Sequence, residues 1–368
     1  MKTCAGRVDP SLALELRMIT IIIPTANRAA MLRTALRSIA QQSARDAIGT
    51  VIVSENGGSV ASRAICAEFP QLPIRYVLRE PPLSPLDHAC ALYEEARGLG
   101  ALFVAVLHDD DWWGPSHLGN GLAQLHADPN ASAYWSSSFF VWGERSWIKQ
   151  CWSISIWAIS GFGRLDEIVT LDYRKSVLAA LCGAPAHYST LIGRSEVVAD
   201  AFREVAMTDN SYDNDRLLFH ALARRGSVVV NLVPEVFVRH HPANEQLLFP
   251  PAEVMRQSRG ATTALLSACR ALGIDVKAEL QRLYDDCPVK ALRPAIAQMI
   301  NVSVQDELRR QELLPAVYSA EEPRTAKWLV RQCCPPLVWE AAKSARAALF
   351  GSANGSSNGS PRESEQRG

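Results

Sequence analysis

The chain has 368 residues with 38 basic and 38 acidic side chains, a formal net charge of zero. That is enough material for one large domain with an appendage, or for two domains, and it offers no net field to gather nucleic acid or an anionic membrane. Its nine cysteines form no Cys-x-x-Cys pair, which argues against a zinc site or disulfide framework and for a reducing cytoplasm.

Residues 1–17 carry Arg7, Asp9, Glu15 and Arg17 and lack the apolar core of a signal peptide, so they read as a leader outside the fold, with Met18 as an alternative start. Residues 18–23 are a β-branched apolar run ending at Pro24, a buried first strand. After the turn Pro24-Thr25-Ala26-Asn27-Arg28, the spacing of Leu32, Ala35, Leu36 and Ile39 predicts a helix over 29–42. A second strand over 48–53 closes on Ser54-Glu55-Asn56-Gly57-Gly58, whose glycines permit a tight turn. A helix through Ala67, a short strand over 74–78 and a helix over 86–97, with Ser84 or Asp87 suited to its N-cap, complete the alternation. It predicts an α/β domain, a mostly parallel sheet with helices on both faces.

Residues 101–107, Ala-Leu-Phe-Val-Ala-Val-Leu, fit a central strand buried on both faces. The strand runs into Asp109, Asp110 and Asp111, and in open α/β sheets the ligand crevice lies outside the carboxyl ends of the strands. Alternation along an extended segment would set Asp109 and Asp111 on one side and Asp110 on the other. Two hard oxygen donors on one side suit Mg²⁺ or Mn²⁺ held with substrate phosphates. A solvated acidic loop capping the helix announced by Pro115, Leu118, Leu122 and Leu125 explains the same residues.

Three segments, Ile-Ile-Ile-Pro-Thr-Ala-Asn-Arg at 21–28, Val-Ile-Val-Ser-Glu-Asn-Gly-Gly at 51–58 and His-Asp-Asp-Asp-Trp-Trp at 108–113, resemble in order and spacing the nucleotide-binding half of family 2 glycosyltransferases with the GT-A fold. The resemblance implies a Rossmann-like sheet binding a nucleotide-diphospho-sugar, with the acidic motif holding Mg²⁺ or Mn²⁺. It implies Pro24, Thr25 and Arg28 in the first nucleotide loop and Glu55 at the base, where the family usually has Asp. Asp109 and Asp110 then belong to the donor side, and Asp111 to the metal. From the residues alone, Glu55 reads equally as a solvated turn residue and Arg28 as a solvated first-turn residue. Where the family has a small, Gly-bearing loop followed by Asn, this chain reads Pro-Leu-Ser-Pro-Leu-Asp-His-Ala over 82–89, and Asp87 or His88 would supply the polar contact.

Beyond Trp113, residues 133–142 predict a further strand, and Trp147, Trp152 and Trp157 punctuate an aromatic-rich section that suits packing or sugar contact. The resemblance places acceptor specificity between Trp147 and His187. Leu217, Leu218, Ala221 and Leu222 predict a helix that begins near Asp213 and ends at Gly226. This segment resembles the family's acidic helix start, with Asp215 as catalytic base and Asn214 in place of an acidic neighbour. Asp213 and Asp215, two apart, face different ways, so both cannot serve, and helix capping explains either. Residues 228–233 predict a strand, after which Arg239-His240-His241 resembles the family's closing Arg-x-His element, with His241 at the diphosphate or metal; an ordinary loop histidine is the alternative.

From residue 250 the composition turns helical, with a helix over 251–272 stopped by Gly273 and further helices to about 350. Trp328, Leu329, Leu337, Val338 and Trp339 among Lys327, Arg331, Lys343 and Arg346 suit packing on the domain or shallow contact with a membrane surface. Residues 351–368 read as a disordered tail. The expected organisation is a GT-A domain over 18–249, divided into a nucleotide-binding half (18–113) and an acceptor half (114–249), then a helical appendage. The implied activity is inverting transfer of a sugar from a nucleotide-diphospho-sugar to a saccharide or lipid-linked acceptor, in bacterial polysaccharide or glycolipid synthesis, in the cytoplasm or at the inner membrane face. A nucleotidyltransferase on a related sheet would want a Gly-rich, Lys-bearing first loop. A non-catalytic sugar-binding protein on the same fold is the third reading.

Overall fold

Strand β1 (Ile19–Thr25) has apolar side chains on both faces because both faces are covered. Ile19, Ile21 and Ile23 join one core with Val51, Val53, Phe103 and Ala105, while Ile22 joins the other with Ile52, Val104 and Val106. The chain is described here by a computed structural model covering residues 19–58, 60–142, 148–150, 168–182, 187–208, 210–241, 249–286 and 302–318. The expected leader with its alternative start at Met18, Trp147, Trp152 and Trp157, the stretch 328–350 and the tail 351–368 lie outside the described residues.

Helix α1 (Ala29–Ala40), strand β2 (Ile48–Asn56), helix α2 (Ala61–Ala67), strand β3 (Ile74–Arg79), helix α3 (Pro85–Gly98) and strand β4 (Phe103–Val106) follow in the expected alternation. Helix α1 buries Leu32, Ala35, Leu36 and Ile39 in one core, and α3 buries Leu92, Tyr93 and Ala96 in the other. Ser84 caps α3 by accepting from the Asp87 N–H (3.2 Å). His88 pairs with Ser54 Oγ (2.8 Å) instead of facing outward.

The second half supplies β5 (Trp112–Trp113), α4 (His117–Ala127), β6 (Ala131–Trp142), β7 (Ile148–Gln150), β8 (Ile168–Leu171), α5 (Tyr173–Leu181), β9 (Leu191–Arg194), α6 (Ser195–Ala206), α7 (Asn214–Ala223) and β10 (Ser227–His240). Among the described residues the sheet has ten strands in the order β3-β2-β1-β4-β9-β6-β10-β5, with β7 beside β6 and β8 beside β10. Strands β1 to β4 are parallel, as βαβ units require. Strand β9 enters antiparallel between β4 and β6, and β10 returns parallel to β6.

Strand β10 is continuous across two expected pieces, but its register against β6 shifts around Asn231–Pro234. Pro234 has no N–H for the ladder, and a slip of one residue turns every following side chain to the other face. Val228, Val230 and Leu232 accordingly lie in one core, whereas Val236 and Val238 lie in the other. Glu235 pins the bulge: its carboxylate accepts from Tyr134 Oη (2.6 Å), from Asn120 Nδ2, and lies 3.2 Å from His117 Nδ1. Burial opposes charge on Glu235, yet these hydrogen bonds hold its carboxyl below the usual range.

Gly226 closes α7 for a reason other than a left-handed backbone. A Cβ there would stand 2.3 Å from the carbonyl oxygen of Asn130. Gly226→Ala should therefore lower stability by about 1–3 kcal/mol, the usual cost of overpacking. Urea titration followed by circular dichroism reads this, and an unchanged midpoint would show that the turn yields freely.

Helix α8 (Pro251–Ala271) ends on Gly273 (φ +62°), whose N–H bonds Arg270 O while Ile274 N–H reaches back to Cys269 O. Helices α9 (Val276–Asp285) and α10 (Val302–Arg310) follow, and Leu265, Leu266, Leu280, Leu283 and Leu308 share a core with α5 and α7. The residues described here fall in one compact unit, Met1–Glu321; a second, Glu322–Gly368, lies outside them. Among the described residues no helix is long and apolar enough to cross a membrane.

Candidate functional site

The carboxyl ends of β1, β2 and β4 converge. Pro24 and Thr25 stand in register with Ser54 and Glu55, and the chain then turns through Asn27 (φ 58°) into α1. Asn27 N–H donates to Glu55 Oε1 (2.7 Å), and Ser62 Oγ donates to Glu55 Oε2. Glu55 is 0% exposed. Its burial overturns the solvated-turn reading, and its carboxylate clamps the first loop to α2.

Arg28 Nη1 donates to Asp109 Oδ1 (3.1 Å) and Asp110 Oδ2 (2.8 Å), and Thr25 Oγ1 donates to Asp109 Oδ2 (2.6 Å). His241 Nε2 lies 3.0 Å from Asp110 Oδ2. The expected pairing of Asp109 with Asp111 on one side is replaced, because Asp111 N–H closes a turn onto His108 O (3.1 Å) and a turn does not alternate like a strand. Asp109 and Asp110 share Arg28, and Asp111 stands apart from them.

Asp111 is 1% exposed. Its Oδ1 accepts from Arg239 N–H (2.9 Å) and its Oδ2 from Ser189 Oγ. Ser189 belongs to a 3₁₀ turn, Tyr188–Thr190, whose preceding residue, His187, places Nδ1 3.6 Å from Asp111 Oδ2. His108, Asp111 and His187 each offer a ligand atom, all within 4.8 Å of one another. This donor set fits a divalent cation, and the imidazoles beside Asp111 are His108 and His187, whereas His241 turns to Asp110.

Burial pushes the Asp109 carboxyl up to about 7 against the pull of Arg28, and pushes Asp111 well above the usual range with Asp110 adding to it. Burial opposes charge on Asp110 too, but His108, Arg28, His241 and His187 together hold its carboxyl low. Burial also lowers His108, and lowers His187 to about 3 with His108 adding to it.

On α7, Asp213 and Asp215 part company. Asp213 accepts from Arg216 Nη1 (2.9 Å) and Ser258 Oγ (2.6 Å), and its N–H donates to Asn210 Oδ1 (2.9 Å). Asp215 accepts a local bond from Arg216 N–H (2.7 Å). Burial, reinforced by the charge of Asp213, pushes the Asp215 carboxyl up to about 7. The Asp215 charge also reaches Tyr188, whose phenol is raised first by burial, then by Tyr93 and Asp215. One turn, Tyr188–Thr190, thus joins the surroundings of Asp111 and of Asp215.

Residues 20–172 match the family described as Glycosyl transferase family 2. Those residues are thus similar to a family 2 glycosyltransferase domain. The matched segment includes Pro24, Thr25, Arg28, Glu55, His108, Asp109, Asp110 and Asp111, while His187, Asp215 and His241 lie beyond it. The GT-A fold is similar to that of S. aureus TarS 1-349 in complex with UDP-GlcNAc, with a TM-score of 0.50 and 13% identity over 80% of this chain and 92% of that one. TarS 1-349 alone and in complex with UDP give TM-scores of 0.48 and 0.47, each at 14% identity and with the same coverage. No curated protein matches this chain.

His108, His187 and Ser189 were not among the expected site residues. His108 was visible as the first residue of the acidic motif, and His187 as the edge of the expected acceptor section. Nothing in the sequence marks Ser189, whose role depends on β9 folding back beside β4.

Proposed function

We propose that the glycosyltransferase domain moves a sugar from a nucleotide-diphospho-sugar to an acceptor hydroxyl with inversion, Asp215 serving as base. What supports this most is that Asp215, a carboxyl with a raised pKa and separate from the structural Asp213, has its charge felt at Tyr188, the neighbour of the Ser189 that holds Asp111. In its charged form Asp215 takes the proton of the acceptor hydroxyl as that oxygen bonds the anomeric carbon. The bond from that carbon to the diphosphate oxygen breaks, and its electron pair leaves with the nucleoside diphosphate. Asp111 would hold a divalent cation, which when bound supplies positive charge at the departing diphosphate. Arg28 lends fixed positive charge to the first loop beside Pro24 and Thr25, with Asp109 and Asp110 orienting it. Glu55 is assigned to holding that loop in shape, not to reading the base.

The acceptor is a saccharide or lipid-linked hydroxyl, and the setting a cytoplasmic one, at the inner membrane face where the acceptor is lipid-linked. UDP-GlcNAc, the sugar nucleotide in the TarS complex, is the first donor to test. Incubated with a panel of UDP-, GDP- and dTDP-sugars and Mn²⁺, the full chain should release nucleoside diphosphate slowly from one of them without acceptor. Release of pyrophosphate from a nucleoside triphosphate and a sugar phosphate would instead establish a nucleotidyltransferase. Absence of any nucleotide-dependent thermal shift would establish a non-catalytic protein on this fold.

A further inference from the structure

We infer that His108 and His187 complete a cation site with Asp111, so that the chain selects a transition-metal ion, Mn²⁺ among those a transferase uses, over Mg²⁺. The inference rests on the transferase reading for its purpose but on the side chains themselves for its chemistry.

Donor atoms each about 2.1 Å from one ion lie at most about 4.2 Å apart. The ligand atoms of His108, Asp111 and His187 fall within 4.8 Å of one another before any ion draws them in. Small side-chain rotations suffice to bring them onto one ion.

The three residues are also tied to a common post. Ser189 Oγ accepts from His108 N–H (3.0 Å) and donates to Asp111 Oδ2, and Ser189 N–H donates to His187 Nδ1 (3.3 Å). A buried hydroxyl that fixes the carboxylate and both histidine-bearing segments is the kind of outer support that orients metal ligands. The last of these bonds leaves His187 Nδ1 as the nitrogen without a proton. It lies 3.6 Å from Asp111 Oδ2, and a cation drawn between them takes over the lone pair from the long Ser189 N–H bond.

Ligand type then sets the preference. Mg²⁺ demands oxygen donors in near-octahedral order and sheds its waters reluctantly, whereas imidazole nitrogen suits transition ions. A site of two imidazoles and one carboxylate disfavours Mg²⁺ whatever the nucleotide supplies. His241, held 3.0 Å from Asp110 Oδ2, stands outside this set.

The test is binding, read without turnover. Chelator-stripped full chain is titrated with Mn²⁺ alone and with Mn²⁺ plus UDP, and bound ion is counted from loss of the free Mn²⁺ electron paramagnetic resonance signal. One equivalent should bind and resist a large excess of Mg²⁺. His108→Ala and His187→Ala should each weaken Mn²⁺ binding by at least about tenfold, and Ser189→Ala by about 10–100-fold. His241→Ala should leave Mn²⁺ binding as it is, and circular dichroism confirms that each variant folds. Displacement by equimolar Mg²⁺, wild-type Mn²⁺ binding in both His108→Ala and His187→Ala, or no Mn²⁺ bound with or without UDP overturns the inference. Donor turnover by a chain of that kind would leave the transferase reading standing. Mn²⁺ held through both histidines with no donor consumed would do the reverse.

Discussion

Asp215→Asn should lower kcat by about 10²–10⁴-fold, the range a positioned general base supplies, while donor binding is kept. Asparagine has nearly the same shape and still accepts the Arg216 N–H bond that Asp215 accepts at 2.7 Å, but it cannot take a proton. Turnover of donor and acceptor measured beside UDP-GlcNAc affinity separates the two effects. Normal turnover in the variant would remove Asp215 from the chemistry. The pH profile carries a second signature. Burial, then Asp213, raises the Asp215 carboxyl to about 7, so the base is protonated below that pH and free above it. Wild-type kcat/KM should rise tenfold per pH unit on the acid side and level off above about 7, and the residual activity of Asp215→Asn should lack that limb. Stability should move in the opposite sense. A carboxyl whose folded pKa is raised contributes stability below its unfolded value near 3.8, which is lost as pH rises through about 7. Asp215→Asn should therefore melt no lower than wild type at pH 8, and any advantage should vanish near pH 3.5, a pattern that a merely misfolded variant would not give.

The parallel half of the sheet was legible because its strands are buried on both faces. Their centres, 21–23, 51–53 and 103–106, are unbroken apolar runs, and the residues after them carry the polar groups of the site. Strand β9 was not legible, since Leu-Ile-Gly-Arg is too short and too mixed to declare itself, and its place between β4 and β6 is a tertiary fact. Helix α6 left a signal in Val198, Phe202 and Val205, at helical spacing, all buried. Within the site, the type of each residue could be read but its direction could not. Alternation predicted that Asp109 and Asp111 share a face, and a single backbone bond, from Asp111 N–H to His108 O, cancels it. Glu55 shows the same limit from the other side: its place at the end of β2 was plain, whereas its burial depends on Asn27 and Ser62, residues brought to it by separate elements.

Asp213→Ala should cost about 3–5 kcal/mol of stability, the penalty for leaving a buried partner charge uncompensated. Arg216 is 5% exposed; its Nη1 bonds Asp213, its Nε bonds Ala180 O (3.0 Å), and its Nη2 has no hydrogen-bond partner among the described residues. Removing the carboxylate leaves the buried guanidinium between α5 and α7 without its counter-charge. The same substitution deprives Ser258 on α8 of the acceptor it reaches at 2.6 Å. Helix α8 also holds the preceding loop, for Gln257 O accepts from Asn210 Nδ2 (2.9 Å) and Gln257 Oε1 from Tyr212 N–H (2.6 Å). Ser258→Ala removes one neutral donor and should cost only about 1 kcal/mol. Denaturant titration of the two variants gives the contrast directly, and equal midpoints would show that Arg216 finds another partner. Activity adds the discriminating measurement between the two aspartates. Asp213→Ala should lose activity in proportion to its unfolded fraction and regain it on cooling or with a stabilising osmolyte, because Asp213 holds the helix start and does no chemistry. Asp215→Asn should regain nothing under the same treatment, because what it lacks is a proton acceptor and not a fold.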